Sequence, residues 1–241
     1  MKFVGERRAL AAVIFAFYFL MYGMLAFLGF AGDLTPAIYA LAGVYGLAFF
    51  AVVAGYFWAR WYAVGVGLYG VITSAVGLWQ VGGEPEPRNM LLFIGGTHLV
   101  AVLMLWGAGM SETYDGKTGW REKLHMDESA VQRLGRSVIR AGVSLPLVLL
   151  YALAPKPGSA TLVLSIGALG LAAFGLRALV RARTWGIVAF GAAGTLMLTA
   201  ASMDLLAHHD GLALRAGLGG SLLLCAAMPF ARPMLRFLRI R

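Results

Sequence analysis

The sequence predicts an all-α integral membrane protein of eight transmembrane helices, arranged as two tandem parallel four-helix repeats. Three observations predict it. First, 60% of the 241 residues are hydrophobic and only 13% are charged, where a soluble domain carries about a quarter. Second, the apolar residues fall in unbroken runs of roughly 20, the length that crosses a bilayer core as a helix, without the alternation of a barrel strand. Third, one stretch occurs twice. Gly43-Val-Tyr-Gly46-Leu47-Ala48 returns at an offset of 124 as Gly167-Ala-Leu-Gly170-Leu171-Ala172. The same offset pairs Trp61 with Trp185, Gly67 with Gly191, Gly70 with Gly194, and Gly95-Gly96-Thr97 with Gly219-Gly220-Ser221.

The elements follow in order. The basic start (Lys2, Arg7, Arg8) precedes a first span over 9–30, too long for the apolar core of a signal peptide and without a small-residue cleavage site, so it reads as retained. Asp33, Thr35 and Pro36 make a turn, with the proline suited to a first helical turn. The second span covers 36–58, and the third runs from the turn at Arg60 to Gln80. The loop 82–89, with two glycines and two prolines, leads to the fourth span over 90–110. A polar linker over 111–136 follows, in which Asp127-Glu-Ser reads as a helix start. The fifth span covers 138–154 with Pro146 inside, where a kink is expected. The remaining spans are 159–179, 185–206 and 212–230, and the basic tail from Arg232 to Arg241 is expected to lie on the membrane surface. The domains are therefore 1–110, the linker 111–136, and 137–241.

Charge sets the orientation. With the N-terminus inside, all Lys and Arg fall on the inner side except Arg88, Lys156 and Arg215. This positive-inside asymmetry predicts both termini in the cytoplasm, in the inner membrane of a prokaryote. It also explains the net charge of +9 without nucleic acid. Parallel repeats predict a pseudo-two-fold axis along the membrane normal. The single Cys225 rules out an internal disulfide and a cysteine metal cluster.

Two kinds of residue stand out. Gly43, Gly46, Gly67, Gly70, Gly95, Gly96, Gly167, Gly170, Gly191, Gly194, Gly219 and Gly220 are small residues of the kind that let membrane helices approach closely, and helix packing is the expectation for all of them. Ala63, Gly67, Gly70, Ser74 and Gly77 form a stripe on the third span. The polar set is His98, Gln80 and Asp204. His98 lies inside the fourth span, where an ionisable group is a functional candidate by default. Its repeat mate is Leu222, and that of Asp204 is Gln80. The Ala-His208-His209-Asp210-Gly turn offers imidazole and carboxylate, yet adjacent histidines point apart and an ordinary polar turn explains them better than a metal. Haem would need two histidines at matched depth, which the pattern lacks. No P-loop, nucleophile elbow or metalloprotease signature occurs, and no cofactor is assigned.

The expected function is a non-catalytic subunit or accessory protein of a larger membrane complex, with other membrane subunits or a second copy as partners in the lipid bilayer. The competing expectation is a small-molecule or ion carrier with a path near the pseudo-two-fold axis. An enzyme acting at the outer side lacks a second catalytic group.

Overall fold

The computed structural model describes residues 3–82, 85–114, 127–156, 158–181, 183 and 185–239. Among them run nine α-helices: α1 (Val4–Phe27), α2 (Thr35–Ala54), α3 (Ala59–Val81), α4 (Pro85–Leu105), the short α5 (Ala108–Tyr114), α6 (Glu128–Leu153), α7 (Ser159–Val180), α8 (Trp185–Leu206) and α9 (Asp210–Arg239). All but α5 are long and apolar enough to cross a membrane, eight in total. Leu20, Phe27, Val163 and Leu206 point outward with more than half their surface uncovered, as lipid-facing side chains do.

Helix ends follow local chemistry. Gly29 (φ +73°) closes α1 and Gly55 (φ +72°) closes α2 in the left-handed conformation that glycine adopts at little steric cost. In each case the next residue's N–H reaches back five positions, Phe30 to the Leu25 carbonyl and Tyr56 to that of Ala51. The turn after α1 is a single 3-10 turn over Gly32–Leu34, pinned by the Thr35 hydroxyl donating to the Gly32 carbonyl at 2.7 Å.

Several boundaries differ from the sequence reading. α4 starts at Pro85, so 85–89 of the expected loop is helical, with the prolines in the first turn where their missing N–H groups cost nothing, and it ends at Leu105 rather than 110. The helix that starts after Asp127 does not end in the linker. It continues as the fifth span, so 128–136 belongs to α6 and 108–114 to α5. The Asp127 carboxylate accepts from the Ala130 N–H at 2.7 Å, while Val131, Leu134 and Gly135 are already buried on one face. An amphipathic first turn packed on the bundle extends the helix where hydropathy alone sees only polar residues. The helix also runs on past the buried Pro146, at the loss of one backbone hydrogen bond. At the other end, α9 continues unbroken to Arg239. The expected surface tail is thus the end of the last span's own helix; its side chains and residues 240–241 lie outside the described residues, as do the linker positions 115–126.

The eight long helices sort into two rings. α1 packs on α2, α2 on α3, α3 on α4 and α4 back on α1; α6, α7, α8 and α9 close the same circuit. The rings meet through α6, which lies against α3 and α2. There the backbones nearly touch. A Cβ on Gly65 would fall 2.3 Å from the Ile139 carbonyl oxygen, and one on Gly142 would fall 2.9 Å from that of Tyr62. A two-fold axis would require an image of this seam, with α1 against α7 and α8. Among the described residues no such packing of comparable extent occurs. The seam therefore joins different faces of the two rings, unlike the two-fold arrangement expected from sequence.

Candidate functional site

Polar side chains gather at two places inside the bundle, one in each ring. In the first, α4 carries His98, which is fully buried. Its Nδ1 lies 2.7 Å from the Ile94 carbonyl oxygen on the preceding turn. A carbonyl only accepts, so Nδ1 carries the proton. Nε2 then presents its lone pair, and the Tyr45 hydroxyl of α2 donates to it at 2.7 Å. Tyr18 of α1 lays its ring against the imidazole, with centroids 4.1 Å apart, and its hydroxyl sits 2.6 Å from Thr97 Oγ1. Tyr22 extends the aromatic group, 5.3 Å from the Tyr45 ring. The imidazole is thus flanked by Tyr18 of α1 and Tyr45 of α2, with Tyr22 packed on both tyrosines, and is held as one neutral tautomer.

The seat for this imidazole is Gly70 on α3. A Cβ there would lie 2.0 Å from His98 Cδ2, so only glycine leaves room for the ring. The small-residue stripe and the buried histidine are two sides of one contact.

The second place is at the far end of the second ring. Asp204 of α8 is 2% exposed, and the Tyr151 hydroxyl of α6 donates to its Oδ2 at 2.5 Å. Lys156, in the loop after α6, donates to the Tyr151 carbonyl at 2.6 Å and stands 3.3 Å above the centre of the Tyr151 ring. Burial pushes the Lys156 ammonium down to about 8, with the charge of Asp204 opposing the shift. A cation, an aromatic ring and a carboxylate therefore stack at the mouth of the second ring.

The polar set of the sequence reading is not one site. His98 and Asp204 stand in different rings, and Gln80 is exposed at the end of α3, bonded to neither among the described residues. The His208-His209 turn is a backbone device. His208 takes φ +58°, its N–H reaches the Leu205 carbonyl, and the His209 N–H caps that of Asp204 at 2.8 Å. This is the glycine-type helix end, with His208 in the glycine's place. No group of three metal-ligating side chains occurs among the described residues.

The glycines divide. Besides Gly70, a Cβ on Gly46 would meet the Phe19 ring, on Gly67 Val102 and on Gly95 Ser74, and one on Gly194 or Gly220 would fall 2.9 Å from the other's carbonyl oxygen. Gly167 and Gly219 make ordinary contacts, whereas Gly43, Gly96, Gly170 and Gly191 have open space where a Cβ would stand. Gly65, Gly142 and Gly135 are among the tightest and escaped the sequence reading, because each contact joins the repeated stretch to 135–142, which has no counterpart at the repeat offset.

The sequence reading left other residues without a role as well. Arg7 donates to the Leu103 carbonyl at 2.9 Å and to that of Trp106, capping the end of α4. Arg8 does the same for α2, reaching Val52 at 3.0 Å and Val53 at 2.5 Å. Helix C-termini leave carbonyls unpaired and carry partial negative charge, which cations offset. These arginines therefore have a structural task whichever side of the membrane they face.

Together the eight apolar helices and the buried polar pairs define a polytopic helical membrane protein. No protein-family model, curated protein or solved structure matches the chain.

Proposed function

We propose that this chain is a non-catalytic membrane subunit or accessory protein of a larger membrane complex. The observation that carries this reading is the state of His98. Both of its ring nitrogens are committed, one to the Ile94 carbonyl and one to the Tyr45 hydroxyl. A general base or a ligand would need one of them free. Asp204 likewise binds Tyr151 within its own ring. The buried polar groups thus act as links between helices of one chain, the use that apolar surroundings favour. The competing carrier reading asks for a path between the halves, and the near-contact of Gly65 with Ile139 and Gly142 counts against one there.

The same reading takes the two rings as products of a tandem duplication, supported by the shared circuit of neighbours. It places the chain in a prokaryotic cytoplasmic membrane with both termini inside, supported by the basic residues at that end. The test is mild solubilisation from the native host followed by native mass spectrometry. A companion polypeptide, or a second copy, at fixed stoichiometry is expected. Recovery as a single chain by itself, with no companion at any detergent strength, overturns the proposal.

A further inference from the structure

An apolar crevice of about 430 Å³ opens at the membrane-facing surface where the two rings meet. Val44 and Leu47 of α2 form one wall, and Leu145 and Leu149 of α6 with Leu169 and Leu176 of α7 form the rest. Its lining is almost wholly hydrocarbon, except at one end. There Arg177, in the last turn of α7, and Arg181, the residue that closes the helix, line the crevice together with Trp58. The same two arginines line a second hollow of about 240 Å³ with Arg183, Phe174 and Trp185, whose two rings lie 4.2 Å apart. The two hollows thus share Arg177 and Arg181, which set a short cationic part beside a long apolar one.

The cations are available. No side-chain hydrogen bond or ion pair engages the guanidinium groups of Arg177, Arg181 or Arg183 among the described residues. Topology alone asks for basic residues at this end of the helices, but not for a hollow that opens onto them. Guanidinium groups match phosphate oxygens in geometry as well as charge. Tryptophans mark the depth at which headgroups lie. An isolated phosphate would leave the hydrocarbon walls unexplained, and an uncharged lipid would leave the arginines without an anion.

We infer that this crevice is a binding site for an anionic phospholipid, its phosphate held by Arg177, Arg181 and Arg183 and one acyl chain lying between α2, α6 and α7. Gly43 also lines the crevice, and a Cβ on it meets nothing within 4 Å. A side chain at 43 therefore occupies the lipid's space without displacing the protein's own atoms.

The experiment titrates the purified, delipidated full chain in neutral detergent with phosphatidylglycerol or phosphatidylcholine, counting bound lipid by native mass spectrometry. Binding of phosphatidylglycerol at one tight site, at least about tenfold stronger than zwitterionic phosphatidylcholine, whose choline cation offsets its phosphate, is expected, given a roughly fivefold contribution per basic residue near an anionic lipid. The double variant Arg177→Gln/Arg181→Gln should lose about 25-fold for phosphatidylglycerol only. Gly43→Leu should weaken both lipids while leaving thermal stability within the wild-type range. Equal affinity for the two lipids, or unchanged binding in the double variant, overturns the inference. So does competition by inorganic phosphate at millimolar concentration that displaces the lipid fully, which identifies a simple anion site. If Gly43→Leu binds as wild type, the acyl chain does not lie in the crevice and the assignment fails.

Discussion

At the scale of single residues, polar groups in this bundle are stabilising only as pairs. Tyr45 and His98 satisfy each other at 2.7 Å. Removing one partner leaves a buried donor or acceptor without a mate, at a cost of about 1–3 kcal/mol. Tyr45→Phe and His98→Leu should each lower thermal stability in detergent, while the double variant should lose clearly less than the sum. Strict additivity, within about 0.5 kcal/mol, would show that the two side chains do not interact. Gly70→Ala should be as harmful as either, since its methyl would occupy the space of His98 Cδ2; overpacking costs about 1–3 kcal/mol. Combining Gly70→Ala with His98→Ala should restore part of the loss. Lys156 gives a pH signature. Its ammonium is lowered to about 8 from the ordinary lysine value of 10.5. The unfolded chain thus binds more protons between those values, and this group's share of stability rises as pH climbs from 8 to 10.5. Acylation of Lys156 by an amine reagent should turn on with a midpoint near pH 8. A midpoint above 10 would mean that Lys156 is not held against Tyr151.

At the scale of helices, the ends and the crossings carry the argument. Arg7 and Arg8 tie the start of α1 to the last carbonyls of α4 and α2, so the same side chains close three helices on one side of the membrane. The crossing of α3 with α6 leaves no room for a methyl at Gly65. Gly65→Ala and Gly142→Leu should therefore lower the yield of folded protein sharply. Gly170→Ala and Gly191→Ala should be tolerated within about 0.5 kcal/mol, because open space surrounds both positions. Equal yields from all four variants would remove the close crossing as the junction of the two rings. Asp127 shows a boundary that chemistry decides: Ser129 and the Ala130 N–H donate to its carboxylate and hold its pKa below the ordinary value. Its contribution is present at neutral pH and lost as pH falls through that lowered value.

At the scale of the whole molecule, the basic residues predict which side faces the cytoplasm. In a chain with Cys225→Ser, cysteines at Glu86 or His209 should react with an impermeant reagent in intact cells, and one at Lys117 should react only after lysis. The reverse pattern would invert the orientation. The rings add a second expectation. Since α6 makes the main junction between them among the described residues, residues 1–114 and 115–241 expressed as two chains should reassemble and co-purify, and Gly142→Leu should prevent it. Failure of the unmutated fragments to associate, with each inserted in the membrane, would show that the seam is too weak to join the halves.

The sequence by itself determined the helical membrane class, the eight spans and most of their ends, because bilayer thickness and hydropathy act locally along the chain. It marked His98, Asp204 and Gly70 as unusual for the same reason: a polar or missing side chain inside an apolar run is visible without a partner. What those residues bind was decided by tertiary structure. Tyr18, Tyr45 and Tyr151 look like ordinary aromatic residues in a membrane helix until folding sets their hydroxyls beside His98, Thr97 and Asp204. Gln80 shares its repeat position with Asp204, yet it ends exposed while Asp204 is buried. The repeat pattern could not foretell how the rings join, since among the described residues the seam of Gly65 against Ile139 and Gly142 has no image of comparable extent in the other half. Hydropathy is summed along one helix, whereas a hydrogen bond or a backbone crossing depends on two, and only the packed bundle states which two meet.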